Sequence, residues 1–134
     1  MAELSPAIRA FLAERRFCVF ATIRPDGVPH QTVLWYDVQG DRIMLNMGRA
    51  RQKDRHLRRD PRASFCVEDE TRYLTITGTC TLHWEDQEQA QADIKRLAAR
   101  YEGPEQAEEL ARMFREEERE TIYLTIEKID ARGF

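Results

Sequence analysis

Seven basic residues lie close together in the middle of this sequence, where they could bind an anion. They fall between Gly48 and Arg62 and are Arg49, Arg51, Lys53, Arg55, Arg58, Arg59 and Arg62. Only Asp54 and Asp60 offset them, so this basic segment has a net charge of +5. The whole chain has a net charge of −3, so the remaining residues carry −8. A positive charge confined in this way indicates a local binding device.

The basic segment has the sequence features of a short helix between two strands. Gly48 opens it, and Asp60-Pro61 closes it because the residue before a proline is disfavoured in the helical conformation. We therefore predict a helix that ends near Arg59. Arg51, Lys53 and Arg55 near its start could bind a phosphate, with unpaired backbone N–H groups and the helix dipole assisting.

Two other interpretations of the basic segment remain open. Runs of charge commonly form a solvated helix face, and basic helices also bind nucleic acid. The acidic pI of about 5.7 argues against nucleic acid, since binding domains of that kind are typically basic. A small phosphorylated ligand fits a confined charge enclosed by strands better.

Length and composition favour one domain over residues 1–134. There is no apolar run of the ~20 residues that a membrane span needs, and the start of the chain lacks a signal pattern. We therefore expect a cytoplasmic protein. The three cysteines form no CxxC and the three histidines are scattered, so we expect neither a metal site nor a disulfide framework.

Alternating apolar runs bounded by turn residues predict six strands, at 17–23, 28–38, 42–47, 63–69, 72–84 and 121–129. Ser5-Pro6 starts a helix predicted to end at Arg15-Arg16, and two more helices are predicted over 86–103 and 104–120. Gly78 within the fifth strand indicates a bulge. These elements predict a mainly β (α+β) fold, an antiparallel β-barrel with helical inserts.

Four pieces of the sequence, in order, resemble a known family. They are ATIRPDGVPHQTVLWYD, DRIMLNM, RARQKDRHLRRDPRASFCV and RYLTITGTCTL. They are similar to the flavin- and deazaflavin-binding split-barrel proteins related to pyridoxamine 5′-phosphate oxidase, and closest to the subgroup that uses the deazaflavin coenzyme F420. The resemblance implies a six-stranded split barrel. It also implies a homodimer with two cofactor sites at the subunit interface.

The resemblance also implies roles for particular residues. The segment 31–36, with Thr32, Val33, Leu34 and Trp35, would run beside the cofactor ring, and Asn46-Met47 would line the ribityl chain. The positions of Arg51 and Lys53 would hold the phosphate. Tyr73 would border the ring of the partner subunit's cofactor.

The sequence departs from the family pattern at two places. Gln52 stands where many relatives have a second arginine before the lysine, which weakens the charge at the phosphate. The oxidase proper also has a C-terminal Trp that binds pyridoxal phosphate, and this chain has no Trp near its end. A true pyridoxamine phosphate oxidase is therefore not expected.

The leading hypothesis is an oxidoreductase that moves hydride between F420 and a small-molecule substrate, with FMN as the alternative cofactor. Because the cofactor carries the chemistry, no side chain is required as a catalytic residue. A cofactor- or haem-binding carrier without turnover and a nucleic-acid-binding module are the rival classes. The surplus of arginines near Arg55 and Arg58 favours F420, whose acidic tail a basic groove would accept.

Overall fold

The structure is a computed structural model that describes residues 3–134. In chain order its elements are α1 (Pro6–Ala13), β1 (Cys18–Ile23), β2 (Pro29–Leu34), β3 (Asp37–Gln39), β4 (Arg42–Gly48), α2 (Gln52–Arg59), β5 (Arg62–Glu68), β6 (Tyr73–His83), α3 (Gln87–Glu102), α4 (Pro104–Phe114) and β7 (Arg119–Arg132).

The strands form one antiparallel sheet in the order β2-β1-β5-β6-β7-β4-β3. β2 and β3 are the two edges of this sheet, yet only Trp35 and Tyr36 separate them in sequence. The three Cα–Cα steps from Leu34 to Asp37 span at most ~11 Å of extended chain, so the sheet must curl until its edges approach one another. The mainly β barrel with helical inserts is confirmed.

The structure has seven strands where six were predicted, because the predicted strand 28–38 is broken at Trp35 and Tyr36. Tyr36 is fully buried, and its hydroxyl donates a hydrogen bond to the Leu12 carbonyl (3.0 Å). The Tyr36 backbone N–H donates to the Tyr101 hydroxyl (3.2 Å) rather than to a strand. These contacts with two helices, α1 and α3, turn the chain from one sheet edge to the other.

Helix boundaries follow the capping residues closely. The Ser5 hydroxyl accepts a hydrogen bond from the Ile8 N–H (3.2 Å), and α2 ends at Arg59 as Asp60-Pro61 predicts. α1 ends at Ala13, slightly before the predicted end. α4 ends at Phe114, well before residue 120, because the chain from Arg119 onward pairs with β4.

The core lies between the concave face of the sheet and α1, and its largest members include Phe20, Phe65 and Leu45. The bulge predicted at Gly78 is present: the register between β6 and β7 shifts at Thr77/Gly78. A Cβ atom added to Gly78 would lie 1.8 Å from the Thr125 carbonyl oxygen, so only glycine fits. No helix within residues 3–134 combines the length and the apolar character that crossing a membrane requires.

Candidate functional site

A tight turn before α2 presents the start of the basic helix. Ala50 has a positive φ of 75°, which is uncommon for a residue other than glycine. Its backbone N–H donates a hydrogen bond to Asp54 Oδ2 (3.1 Å), which ties the turn to the first turn of the helix. Arg51 follows as the exposed N-cap, and Lys53 is half-buried behind it.

Lys53 belongs to a cluster of three cations with Arg51 and Arg119, which we call the cationic cluster. Burial lowers the pKa of Lys53 below its usual value, and the positive charges of Arg51 and Arg119 lower it further. Within residues 3–134 no acidic side chain forms an ion pair with Lys53. The other two members of the cluster pair with Glu117, whose carboxylate lies 3.3 Å from Arg51 and 3.1 Å from Arg119.

Arg119 reaches the cluster through strand pairing. It lies opposite Gly48 in the β4–β7 register, although the two residues are far apart in sequence. Its guanidinium is largely buried, which lowers its pKa, while Glu117 acts in the opposite direction. The sequence analysis missed Arg119, because no local pattern signals which strand will pair with β4.

A cavity of about 270 Å³ opens beside Arg119 and is lined mainly by apolar and aromatic side chains. Its lining residues are Phe17, Val33, Leu34, Trp35, Asn46, Ile94, Leu97, Phe114 and Arg119. Trp35 stacks on Tyr101 (ring centroids 5.3 Å apart), which in turn stacks on Phe17 (5.6 Å). Trp35 and Phe17, the two rings of this stack that line the cavity, give it an aromatic surface.

Asn46 supplies a polar contact at the floor of this cavity. Its side-chain oxygen accepts a hydrogen bond from Arg119 Nε (3.0 Å). Its side-chain nitrogen donates to the Ala90 carbonyl (3.0 Å) and to Thr121 Oγ1 (3.2 Å). Asn46 therefore fixes the direction of Arg119 as well as lining the cavity.

A second, larger cleft of about 540 Å³ lies on the other side of α2. We call it the arginine cleft. It is lined by Arg24, Pro25, His30, Gln52, Arg55, His56 and Arg59. No acidic side chain is among them. Nδ1 of His56 is 2.9 Å from the Thr22 hydroxyl, and burial lowers the pKa of His56 below its usual value.

Four of the predicted site residues line one cavity: Val33, Leu34, Trp35 and Asn46. Arg51 and Lys53 lie at the start of α2, while Gln52 faces the arginine cleft. Thr32 points to the inner side of β2, and its hydroxyl is buried with no hydrogen-bond partner among residues 3–134.

The remaining two predicted residues lie elsewhere. Met47 is buried in the core, so only its backbone is available to a ligand. Tyr73 is exposed at the start of β6, opposite Glu68 and Arg132, and does not line the cavity of its own chain. No group of three or more potential metal ligands converges within the described part of the chain.

Comparison with known proteins gives a family and several similar structures. The family described as pyridoxamine 5′-phosphate oxidase matches residues 4–133. A conserved hypothetical protein from Mycobacterium tuberculosis is 30% identical, with a TM-score of 0.81, covering 98% of this chain and 87% of that one. A comparison with curated proteins found no match.

Two further solved structures share the fold at lower identity. One is an F420 reductase, 23% identical with a TM-score of 0.74, covering 91% of this chain and 94% of that one. The other is the heme storage protein HutZ from Vibrio cholerae, 21% identical with a TM-score of 0.72, covering 99% and 97%. At these identities the likeness concerns the fold, which proteins of different function share.

Proposed function

Because the chain belongs to the pyridoxamine 5′-phosphate oxidase family, we propose that it is an oxidoreductase that uses F420 and a small-molecule substrate. The observation that carries this proposal is the cationic cluster beside the aromatic-lined cavity. Lys53 forms no ion pair with an acidic side chain of residues 3–134, so it can bind a phosphate, and the Trp35 ring that lines the cavity suits contact with a planar ring.

The chemistry of the site fits a cofactor with a phosphate, a ribityl-type chain and a tricyclic ring. β2 is an edge strand, paired only with β1, so its outer backbone N–H and C=O groups can contact the polar edge of a ring. Arg51 and Lys53 would hold the phosphate, and Asn46 would lie beside the chain that links it to the ring.

When bound, F420 or FMN supplies the ring that accepts and donates hydride. The protein residues have the tasks of binding, orientation and exclusion of water. Trp35 and Phe17 provide apolar surface against one side of the cavity, and Asn46 keeps Arg119 directed towards it. None of these side chains needs to act as an acid or base, so the reaction requires no catalytic residue.

The arginine cleft supports F420 over FMN. Gln52 lines this cleft and is the neighbour of Lys53, so a ligand whose phosphate contacts Lys53 can extend into the cleft. Three arginines and no acidic side chain line it, which favours an anionic extension. F420 carries an acidic tail beyond its phosphate and FMN does not.

We also propose that the protein is a homodimer. Two rows of uncharged residues cross β2, β1, β5 and β6 in register on the convex face of the sheet. The first row is Val33, Val19, Cys66 and Thr75, and the second is Gln31, Ala21, Ser64 and Thr77. Val33 is 65% exposed and Val19 37%. An uncharged sheet face of this extent is suited to contact with a second copy.

Titration of the purified protein with F420, FMN and riboflavin tests the proposal. We expect F420 to bind more tightly than FMN, and FMN more tightly than riboflavin, which lacks the phosphate. Cofactor fluorescence or calorimetry at fixed salt gives the dissociation constants. Equal affinity for FMN and riboflavin would contradict the phosphate role of the cationic cluster. Failure of both F420 and FMN to bind would refute the proposed function.

A further inference from the structure

Two acidic side chains are buried together beneath α2. Asp54 lies in the first turn of the helix, and Glu120 lies on β7 opposite Met47. Their side chains are 5% and 0% exposed, respectively. Arg58 contacts both, through Nε to Asp54 Oδ1 (2.8 Å) and through Nη2 to Glu120 Oε1 (2.8 Å).

The charges around this acid pair do not balance. Arg58 from α2 is the one cation in contact with the pair within residues 3–134. Arg49, from the turn before α2, acts on Glu120 from further away and is itself paired with the exposed Glu118 (3.2 Å). Both guanidinium groups lie over the Trp84 ring, at 4.3 Å and 4.8 Å from its centroid. Two ionised carboxylates would thus leave an excess negative charge in a buried place.

A shared proton removes this imbalance. The pKa of Glu120 is raised to about 8, chiefly by burial and then by the neighbouring Asp54 carboxyl group, while Arg58 and Arg49 oppose the shift. Glu120 Oε2 is buried with no hydrogen-bond partner among the described residues. Neighbouring carboxyl groups commonly share one proton in such a setting.

The acid pair is connected to the cationic cluster through one hydrogen bond. Asp54 Oδ2 accepts the backbone N–H of Ala50, whose left-handed conformation forms the turn before α2. A non-glycine residue persists in that conformation only where its surroundings hold it. The Asp54 carboxyl group, which lies beside Glu120, therefore also holds the turn that leads into Arg51 and the first turn of α2, where Lys53 lies.

We propose that Asp54 and Glu120 are positioning residues whose shared proton makes anion binding at Arg51 and Lys53 dependent on pH. This inference rests on the anion site of the proposed function. Loss of the proton places two negative charges side by side. Their repulsion displaces Asp54 from Ala50, and the added negative charge lies next to the cationic cluster. Both effects lower anion affinity as pH rises.

The test compares the wild-type protein with Glu120→Gln. The amide matches the carboxyl group in shape, accepts from Arg58, donates to Asp54 and does not titrate. The probe is sulfate, whose charge is constant between about pH 6.5 and about pH 9.5. Sulfate affinity is measured by calorimetry. Across this pH range we expect the wild-type protein to lose about ten times more affinity for sulfate than Glu120→Gln loses.

Two controls make the comparison specific. Lys53 also loses charge at alkaline pH, but it does so in both proteins, so the difference between them reports the acid pair. Glu118→Gln removes the same formal charge from an exposed position nearby and should keep the wild-type pH slope. Parallel slopes for the wild type and Glu120→Gln would overturn the proposal.

Thermal unfolding without any ligand separates this proposal from the proposed function. The pKa of Glu120 is raised in the folded state, so its stabilising effect is complete below about pH 4.5 and is lost as pH rises towards about 8. Glu120→Gln should flatten that decline. If stability declines with pH as steeply in Glu120→Gln as in the wild type, the two carboxyl groups do not share a proton. If the decline in stability flattens in Glu120→Gln but neither protein binds sulfate, the assignment of the anion site is wrong. The positioning role proposed for Asp54 and Glu120 is then wrong as well.

Discussion

Lys53 is the residue on which cofactor binding should depend most. It is half-buried, lacks an acidic partner within residues 3–134 and stands next to Arg51 and Arg119. A charge-assisted contact with a phosphate is worth roughly 1.5–3 kcal/mol. We therefore expect Lys53→Ala to weaken binding of F420 or FMN about ten- to a hundredfold, since each ~1.4 kcal/mol corresponds to tenfold. Titration followed by cofactor fluorescence measures the change.

Arg62 provides the matched control for that experiment. It belongs to the same basic segment, but its side chain is 70% exposed and pairs with Asp60 at 2.8 Å. Arg62→Ala should change affinity little, and its small effect should fade at higher salt, where exposed charges are screened within ~10 Å. Similar losses from both substitutions would indicate diffuse electrostatic attraction instead of a phosphate site at Lys53.

At the scale of secondary structure, local signals were enough to locate most elements. Ser5-Pro6 and Asp60-Pro61 act through their own backbone conformation and caps, so the start of α1 and the end of α2 follow from sequence alone. The break at Tyr36 does not, because it depends on contacts with Leu12 and Tyr101, which only the folded chain brings near.

The same distinction applies to the candidate site. Arg51 and Lys53 belong to a local charge pattern and could be named from sequence. Arg119 enters through the pairing of β7 with Gly48, and Glu120 meets Asp54 through the same pairing. Such long-range register is set by the fit of whole strands in the barrel, and no short stretch of sequence encodes it.

The bulge at Gly78 allows a strong prediction about the β6–β7 pair. A Cβ atom there would lie 1.8 Å from the Thr125 backbone oxygen, and neither strand can move without disturbing the sheet. Gly78→Ala should therefore lower the melting temperature severely or prevent folding.

Gly27→Ala is the control: its φ is +85°, but a Cβ atom would meet nothing within 4 Å. It should cost only about 1 kcal/mol, as expected for a left-handed residue. Equal losses would show that the bulge is not tightly packed.

At the scale of the whole molecule, the cavity and the uncharged sheet face meet at β2. Val33 lines the cavity and also lies in the uncharged rows of the convex face. Tyr73, predicted to border a cofactor, is exposed at the start of β6, away from the cavity of its own chain. A second copy packed on this face could close the open cavity and bring its own Tyr73 towards it. We therefore expect dimerisation and cofactor binding to be linked.

The substitution Val33→Glu tests this link, because it places a charge on the uncharged face where that face meets the cavity, opposite Val19. Sedimentation should give about twice the chain mass of 15.8 kDa for the wild type and a single-chain mass for Val33→Glu. The variant should also bind F420 more weakly. Met113→Glu is the control, since Met113 is a similarly exposed apolar side chain (62%) but lies on α4 and not in the uncharged rows, so this variant should remain dimeric. A wild-type protein that sediments as a single chain at micromolar concentration, with and without F420, would refute the dimer. A monomeric Val33→Glu that retains wild-type affinity would instead place the whole cofactor site within one chain.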